Sequence, residues 1–218
     1  MNLKRLYLIL LFPILMVACN KDRITGSGDI ISQNRDVSGF SGIVTNGSTP
    51  AFITIGTGFS VAVKGYQNLL PLFEINVSNR VLQAGFKNNV NVHNNNTQLY
   101  VTLPALNYIQ TNGNGDMTIT GAVTGMDQLK AVIAGSANIT IENGNADNFE
   151  GNITGKGNIS GLGFQCKNAS LSITGNGNME ISVSDSLNVT ISGMGNIYYQ
   201  GNPVVITHIS GKGQVIKK

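Results

Sequence analysis

The sequence predicts an all-β fold, a parallel β-helix built from short coils that stack on one another. Glycine and asparagine supply 27 and 28 of the 218 residues, a bias that is typical of a tightly turned repeat. A four-residue glycine motif recurs at nearly constant intervals. Apolar and polar residues alternate on both sides of this motif, which indicates strands with one buried face. We predict no helix beyond the apolar segment at the N-terminus.

The chain begins with a secretion signal. Lys4 and Arg5 precede an apolar run, Leu6–Ala18, that ends at Cys19. This pattern predicts a lipoprotein signal peptide over residues 1–18, with Cys19 as the lipid attachment residue. The alternative of an uncleaved membrane anchor is disfavoured because a span takes roughly 20 apolar residues, and this run has thirteen. Cleavage nearby by an ordinary signal peptidase stays open.

Residues 19–34 are polar and contain glycine and serine, so we predict a flexible tether between the lipid and the folded domain. Acyl chains on Cys19 would hold the protein on a membrane. We expect an outer membrane lipoprotein that faces the periplasm or the cell exterior.

The predicted mature chain is nearly neutral. Loss of Lys4 and Arg5 leaves 12 basic residues (14 − 2) against 11 acidic ones, which argues against a nucleic-acid partner. Cys166 loses its only cysteine partner once Cys19 carries lipid. We interpret Cys166 as a buried, inert thiol, because a catalytic cysteine needs a nearby histidine and the chain has only two.

The glycine motif divides the chain into repeats of strand, glycine turn, strand and a looser return segment. Its copies are GNGD at Gly113, GSAN at Gly135, GKGN at Gly155, GNGN at Gly175, GMGN at Gly193 and GKGQ at Gly211. The interval between copies shortens slightly toward the C-terminus. A unit this short buries its apolar stripe only by stacking on its neighbours.

Two sets of equivalent residues decide between a parallel β-helix and a meander of antiparallel hairpins. One set precedes the turn: Ile133, Ile153, Ile173, Ile191 and Ile209. The other closes it: Asn138, Asn158, Asn178, Asn196 and Gln214. Identical residues at identical positions suit parallel, in-register stacking, where aliphatic side chains interdigitate and amides bond along the column. Glycine suits the corner because neighbouring coils approach closely there.

The N-terminal half, residues 35–112, is less regular. Its strand-like segments AFITIG, FSVAVKG and LYVTL are separated by turn sequences. We predict irregular early coils of the same stack, which also cap its open edge.

Several segments together resemble the head GIN domain family of autotransporter adhesins. They are RDVSGFSGI from Arg35, LPAL from Leu103, the serial Gly-x-Gly-Asn turns, and YYQGNP from Tyr198. The resemblance implies a right-handed parallel β-helix over residues 35–218, in an exported lipoprotein of Gram-negative bacteria with an adhesin-like role. It implies no catalytic residues. One departure is Ala137, which replaces the second glycine in the GSAN turn.

One constellation is a candidate for surface chemistry. Asp127, Asp147 and Lys167 are separated by one repeat length each and so fall on successive coils. Glycoside hydrolysis would need two carboxylates about 5–9.5 Å apart, whereas charges of mixed sign are usually a solvated surface pair. We assign these residues to a candidate surface binding face and predict no catalytic residue. His93 and His208 have no evident co-ligands, so we predict no metal and no cofactor.

These observations favour an envelope-anchored lipoprotein with a non-catalytic, adhesin-like or scaffolding role, and not an enzyme. Its expected partners are a membrane, through the lipid, and a glycan or another surface protein. The first alternative is a glycan-binding or glycan-active envelope protein, in which acids and aromatic residues would gather in one groove. The second is a passive structural module, with no ligand-sized concavity and no exposed aromatic cluster.

Overall fold

The structure of the protein, a computed structural model, describes residues 22–218. Within this range the chain forms a stack of β-coils, with a single short 3-10 turn at Leu70–Leu72. The predicted parallel β-helix is therefore confirmed. The predicted signal peptide and Cys19 lie outside the described residues.

The described part of the chain contains seventeen strands. The first nine are β1 (Asp22–Thr25), β2 (Ile30–Arg35), β3 (Gly42–Thr45), β4 (Ala51–Ile55), β5 (Ser60–Tyr66), β6 (Phe73–Ser78), β7 (Val81–Phe86), β8 (Val90–His93) and β9 (Gln98–Leu103). The others are β10 (Tyr108–Thr111), β11 (Met117–Ile133), β12 (Ile139–Ile153), β13 (Ile159–Ile173), β14 (Met179–Ile191), β15 (Asn196–Gln200), β16 (Val204–Ile209) and β17 (Gln214–Lys217).

The C-terminal half is the regular part of the stack. Strands β11 to β14 each start after one glycine turn, bend through the return segment and end before the next turn. Neighbouring coils pair in parallel, so that Ile153 lies between Ile133 and Ile173. All three isoleucines are fully buried. The apolar alternation seen in the sequence therefore becomes one continuous core along the axis of the stack.

The asparagines that close the turns form a hydrogen-bonded ladder. The Asn158 main-chain N–H and side-chain amide donate to Oδ1 of Asn138 at 3.1 and 3.0 Å, and Asn178 bonds Asn158 in the same way. Asp116 begins the ladder, because its carboxylate accepts the Asn138 main-chain N–H at 2.7 Å. Each side-chain oxygen thus satisfies a donor of the next coil. Ala137 fits this corner: it is 1 % exposed and the adjoining rung is intact.

The first coils do not follow chain order. Strands β3 and β4 form a coil that pairs with β10 and β11 on one side and with β7 and β9 on the other. The turn of this coil, at Gly47, stacks directly on the turn at Gly113. The close approach is seen in the distance of only 1.9 Å that a Cβ on Gly113 would have from the Gly47 carbonyl oxygen. In chain order, the coil of β3 and β4 is followed by the coil of β7 and β9, which lies on its outer side. The chain then crosses to the other side of the first coil and continues the stack from β10 onward.

Antiparallel strands close the N-terminal end of the stack. Strand β5 pairs with β9, β2 pairs with β5, and β6 pairs with β7. Antiparallel additions interrupt the parallel repeat, so this end offers no template for another coil. The predicted capping role of this half is consistent with this arrangement.

The predicted tether over residues 19–34 is wrong for the part that the structure describes. Strand β1 pairs in parallel with β8, and β2 belongs to the cap. The cause is main-chain hydrogen bonding to neighbouring strands, which orders a polar sequence that cannot form a core by itself. The folded domain therefore includes residues that precede 35.

The C-terminal end is protected in a different way. The last coil places Thr207 and Lys217 at inward positions, where the preceding coil has Val189 and Tyr199. Both residues are exposed in the structure of residues 22–218. A polar hydroxyl and a charged amine at core positions discourage edge-to-edge association.

We expect the double substitution Thr207→Val and Lys217→Val to promote self-association. The exchange completes an apolar end surface next to the exposed Ile209 and removes the inward charge. Sedimentation velocity should show a larger, concentration-dependent species than for the parent chain. Lys212→Val, which lies in the turn, is the control. Identical sedimentation of the double variant and the parent would contradict this interpretation of the edge.

Candidate functional site: a groove along the return segments

A groove of about 870 Å³ crosses five consecutive coils on their return segments. It is lined by stacked triplets at residues 125–127, 145–147, 165–167, 182–184 and 200–202. Because parallel coils repeat about every 4.8 Å, four steps give a groove roughly 19 Å long. This is the length of a short extended chain rather than of one small molecule.

The middle residue of each triplet forms the floor. Ala146 pairs with Met126 on one side and with Cys166 on the other, and Cys166 pairs with Val183. These side chains point inward, and Ala146, Cys166 and Val183 are all buried. At the start of the groove, Gly125 has a φ of 71°, which L side chains rarely adopt, and it turns the chain just before Met126. A small apolar floor leaves room between the polar rims.

One rim carries the three charged residues that the sequence placed on successive coils. Asp127, Asp147 and Lys167 are the third members of their triplets. The Lys167 Nζ lies 2.8 Å from Asp147 Oδ1, and both side chains are more than half exposed. This hydrogen bond, together with the charge of Asp147, raises the pKa of Lys167. The structure therefore brings the predicted constellation together along one edge of the groove.

The opposite rim is uncharged and was not predicted from the sequence. It is a column in which Asn145 pairs with Gln165, Gln165 with Ser182, and Ser182 with Gln200. The Ser182 hydroxyl donates to the Leu162 carbonyl oxygen at 2.7 Å, whereas the three amides are exposed. Side-chain amides offer both donors and acceptors. A sequence signal for this rim exists on two coils, where Asn145 and Gln165 stand two residues before the charged residues Asp147 and Lys167.

Cys166 is buried in the groove floor, and burial raises the pKa of its thiol to about 12. Its Sγ contacts the Ser182 carbonyl oxygen at 3.5 Å. The interpretation of Cys166 as a buried thiol is confirmed.

In a chain that starts at Asn20, we expect Cys166 to resist thiol reagents until the protein unfolds. A pKa near 12 leaves a thiolate fraction of roughly 10⁻⁴ at about pH 8. Ellman's reagent should label one thiol in denaturant and essentially none in buffer. Fast labelling of the folded chain would show that the groove floor is open to solvent.

Neither metal ligands nor aromatic residues gather in the groove among the residues that the structure describes. Among residues 22–218, no group of three or more His, Cys, Asp or Glu side chains could hold a metal ion. Asp147 is engaged by Lys167, and no aromatic residue lines the groove. Acids and aromatics therefore do not gather in one place. An exposed aromatic pair, Phe52 and Tyr100, lies on a different face.

Fold and groove together define a class of protein: a β-helix that offers a long polar concavity on its side. In the described part of the chain, no helix is long and apolar enough to cross a membrane. Residues 39–203 match the family described as "Putative auto-transporter adhesin, head GIN domain". The chain belongs to this family, and the resemblance inferred from the sequence is confirmed.

Solved structures share the fold. A "putative adhesin" of Bacteroides fragilis is 22 % identical with a TM-score of 0.71, and the match covers 89 % of this chain and 99 % of that one. A "putative adhesin" of Parabacteroides distasonis is 25 % identical with a TM-score of 0.64, covering 90 % and 100 %. A "putative lipid binding protein" of the same species is 21 % identical with a TM-score of 0.62, covering 90 % and 100 %. A search of curated proteins returned no match.

Proposed function

We propose that this protein is a non-catalytic, adhesin-like binding protein that takes its ligand in the return-segment groove. The observation that carries the proposal is the groove itself, which joins five coils between an amide rim and a charged rim. A passive spacer does not require such a concavity. Membership of an adhesin family supports the same role.

The chemistry of the groove favours binding over catalysis. Asp147 already has Lys167 as a partner at 2.8 Å, whereas a general acid or base must reach the proton that it transfers. The amides and hydroxyls of the opposite rim suit hydrogen bonding to an extended polar chain. The ligand class is therefore a glycan or a segment of another surface protein.

Anchoring completes the proposal. A lipid on Cys19 would place the domain at the outer membrane, with the groove directed to the side of the stack. Because β1 begins at Asp22, only residues 19–21 would separate the lipid from the first strand. The domain would then lie close to the membrane.

The test is an array of glycans and matrix proteins, probed with a chain that starts at Asn20 and so retains β1. We expect selective binding by the parent chain. Asp147→Ala should lower the affinity by about tenfold, because it removes a rim acceptor and leaves Lys167 unpaired. The matched control is Glu74→Ala, an exposed acid on β6 of the cap. A blank array with a folded protein, or equal binding by Asp147→Ala, would contradict the proposal.

A further inference from the structure

Two aromatic rings are exposed side by side on the outer surface of the stack. Phe52 on β4 pairs in register with Tyr100 on β9. Their ring centroids are 5.2 Å apart and their planes are inclined by only 20°. Each residue is 38 % exposed. The pair therefore presents a flat apolar surface to solvent.

This pair departs from the pattern of the column in which it lies. On the next three coils the same outward column continues with Thr118, Thr140 and Ser160, and only the last coils bring Glu180 and a second aromatic residue, Tyr198. Pairing of rings across strands does not require exposure: in the Phe73–Phe86 pair of the cap, Phe73 is 4 % exposed. Sheet stability alone therefore does not explain why the Phe52–Tyr100 pair is open to water.

Hydroxyl groups surround the two rings. Thr54 lies two residues beyond Phe52, and its Oγ1 is 3.2 Å from that of Thr120 on the next coil. The Tyr100 hydroxyl donates to Gln98 at 2.8 Å, which leaves its oxygen free to accept a bond.

Two exposed charges of opposite sign, Lys64 and Asp116, flank the two rings. The residues in register beside the pair are Ala62 and Thr118, with Thr54 and Thr102 forming the neighbouring row. The groove rim carries two aspartates and a lysine. One charge of each sign beside the rings gives no net electrostatic advantage to an anionic or cationic ligand.

We propose that the Phe52–Tyr100 platform is a second binding site, whose ligand is an uncharged polysaccharide. Sugar rings combine an apolar C–H face with hydroxyl groups at the edge, so they can stack on the two rings and bond Thr54, Thr120 and the Tyr100 oxygen. Backbone groups in the sheet hold the platform flat before binding, which lowers the entropic cost. The site is independent of the groove.

The test is native affinity electrophoresis of the chain from Asn20 in gels that contain one polysaccharide each. The uncharged probes are hydroxyethylcellulose, glucomannan, laminarin and dextran, and the charged probe is polygalacturonate. We expect retardation by at least one uncharged probe and none by polygalacturonate. Phe52→Thr, which restores the threonine of the column, should weaken that retardation by about tenfold or more.

Two controls separate this site from folding and from the groove. Phe59→Thr removes a ring that is 39 % exposed but lies elsewhere, against Phe40, and it should be retarded like the parent chain. Asp147→Ala, which alters the groove, should be retarded as strongly as the parent chain. The test of the Phe52–Tyr100 site therefore does not depend on whether the groove binds a ligand. Circular dichroism melts confirm that each variant is folded. No retardation by any uncharged probe, or unchanged retardation of Phe52→Thr, would overturn the proposal.

Discussion

Gly175→Ala is expected to destabilise the stack by about 4 kcal/mol or more. A Cβ at this corner would lie 1.9 Å from the Gly155 carbonyl oxygen and 2.9 Å from its carbonyl carbon. Both atoms belong to the main chain, so relief requires neighbouring coils to separate. Separation would weaken the coil-to-coil bond from Asn176 N–H to Gly155, now 2.9 Å. Urea denaturation monitored by circular dichroism measures the loss.

Gly58→Ala is the matched control for this corner. A Cβ at Gly58 would meet nothing within 4 Å, so the same exchange should change the free energy of unfolding by about 0.5 kcal/mol or less. If Gly175→Ala and Gly58→Ala were equally stable, the close approach of the coils at the turns would be contradicted.

Ile173→Ala should cost roughly 2–5 kcal/mol. The residue is fully buried between Ile153 and Ile191, with which it pairs on adjacent coils. Removing the side chain opens a cavity in the middle of the core, where coils on both sides prevent collapse. Equilibrium unfolding in urea gives the difference.

Ile209→Ala tests the same exchange at the open end of the same column. Ile209 pairs with Ile191 but is 43 % exposed, so we expect a cost of about 1 kcal/mol or less. The difference in unfolding free energy between Ile173→Ala and Ile209→Ala reports which of the two isoleucines lies inside the stack and which lies at its end. Equal costs would mean that the column does not run from the interior to an exposed last coil.

The regular half of the fold was predictable because its repeats carry their own register. Ile133, Ile153 and Ile173 recur at a fixed place before each turn, and parallel pairing follows from that repetition. The N-terminal order was not predictable. Gly47 supplies a corner without a second glycine after it, and nothing local shows that its coil lies between two later ones. Strands β1 and β2 were missed because their order depends on distant partners.

The candidate site was predictable in part for the same reason. The repeat spacing placed Asp127, Asp147 and Lys167 on one edge, and the structure has Lys167 paired with Asp147 there. The depth of the groove depends on how the return segments bend, which the sequence does not encode as a simple period. Phe52 and Tyr100 are far apart in the chain, and their contact follows from the unexpected coil order.

The central claim is that the groove is where the ligand lies, and carboxyl footprinting tests it most directly. The chain from Asn20 is treated with a carbodiimide and glycine ethyl ester, with and without the binder found on the array, and labelling of each acid is read by mass spectrometry. We expect bound ligand to protect Asp127 and Asp147 while Glu74 on the cap labels as before. Unchanged labelling of both aspartates under saturating binder would contradict the claim.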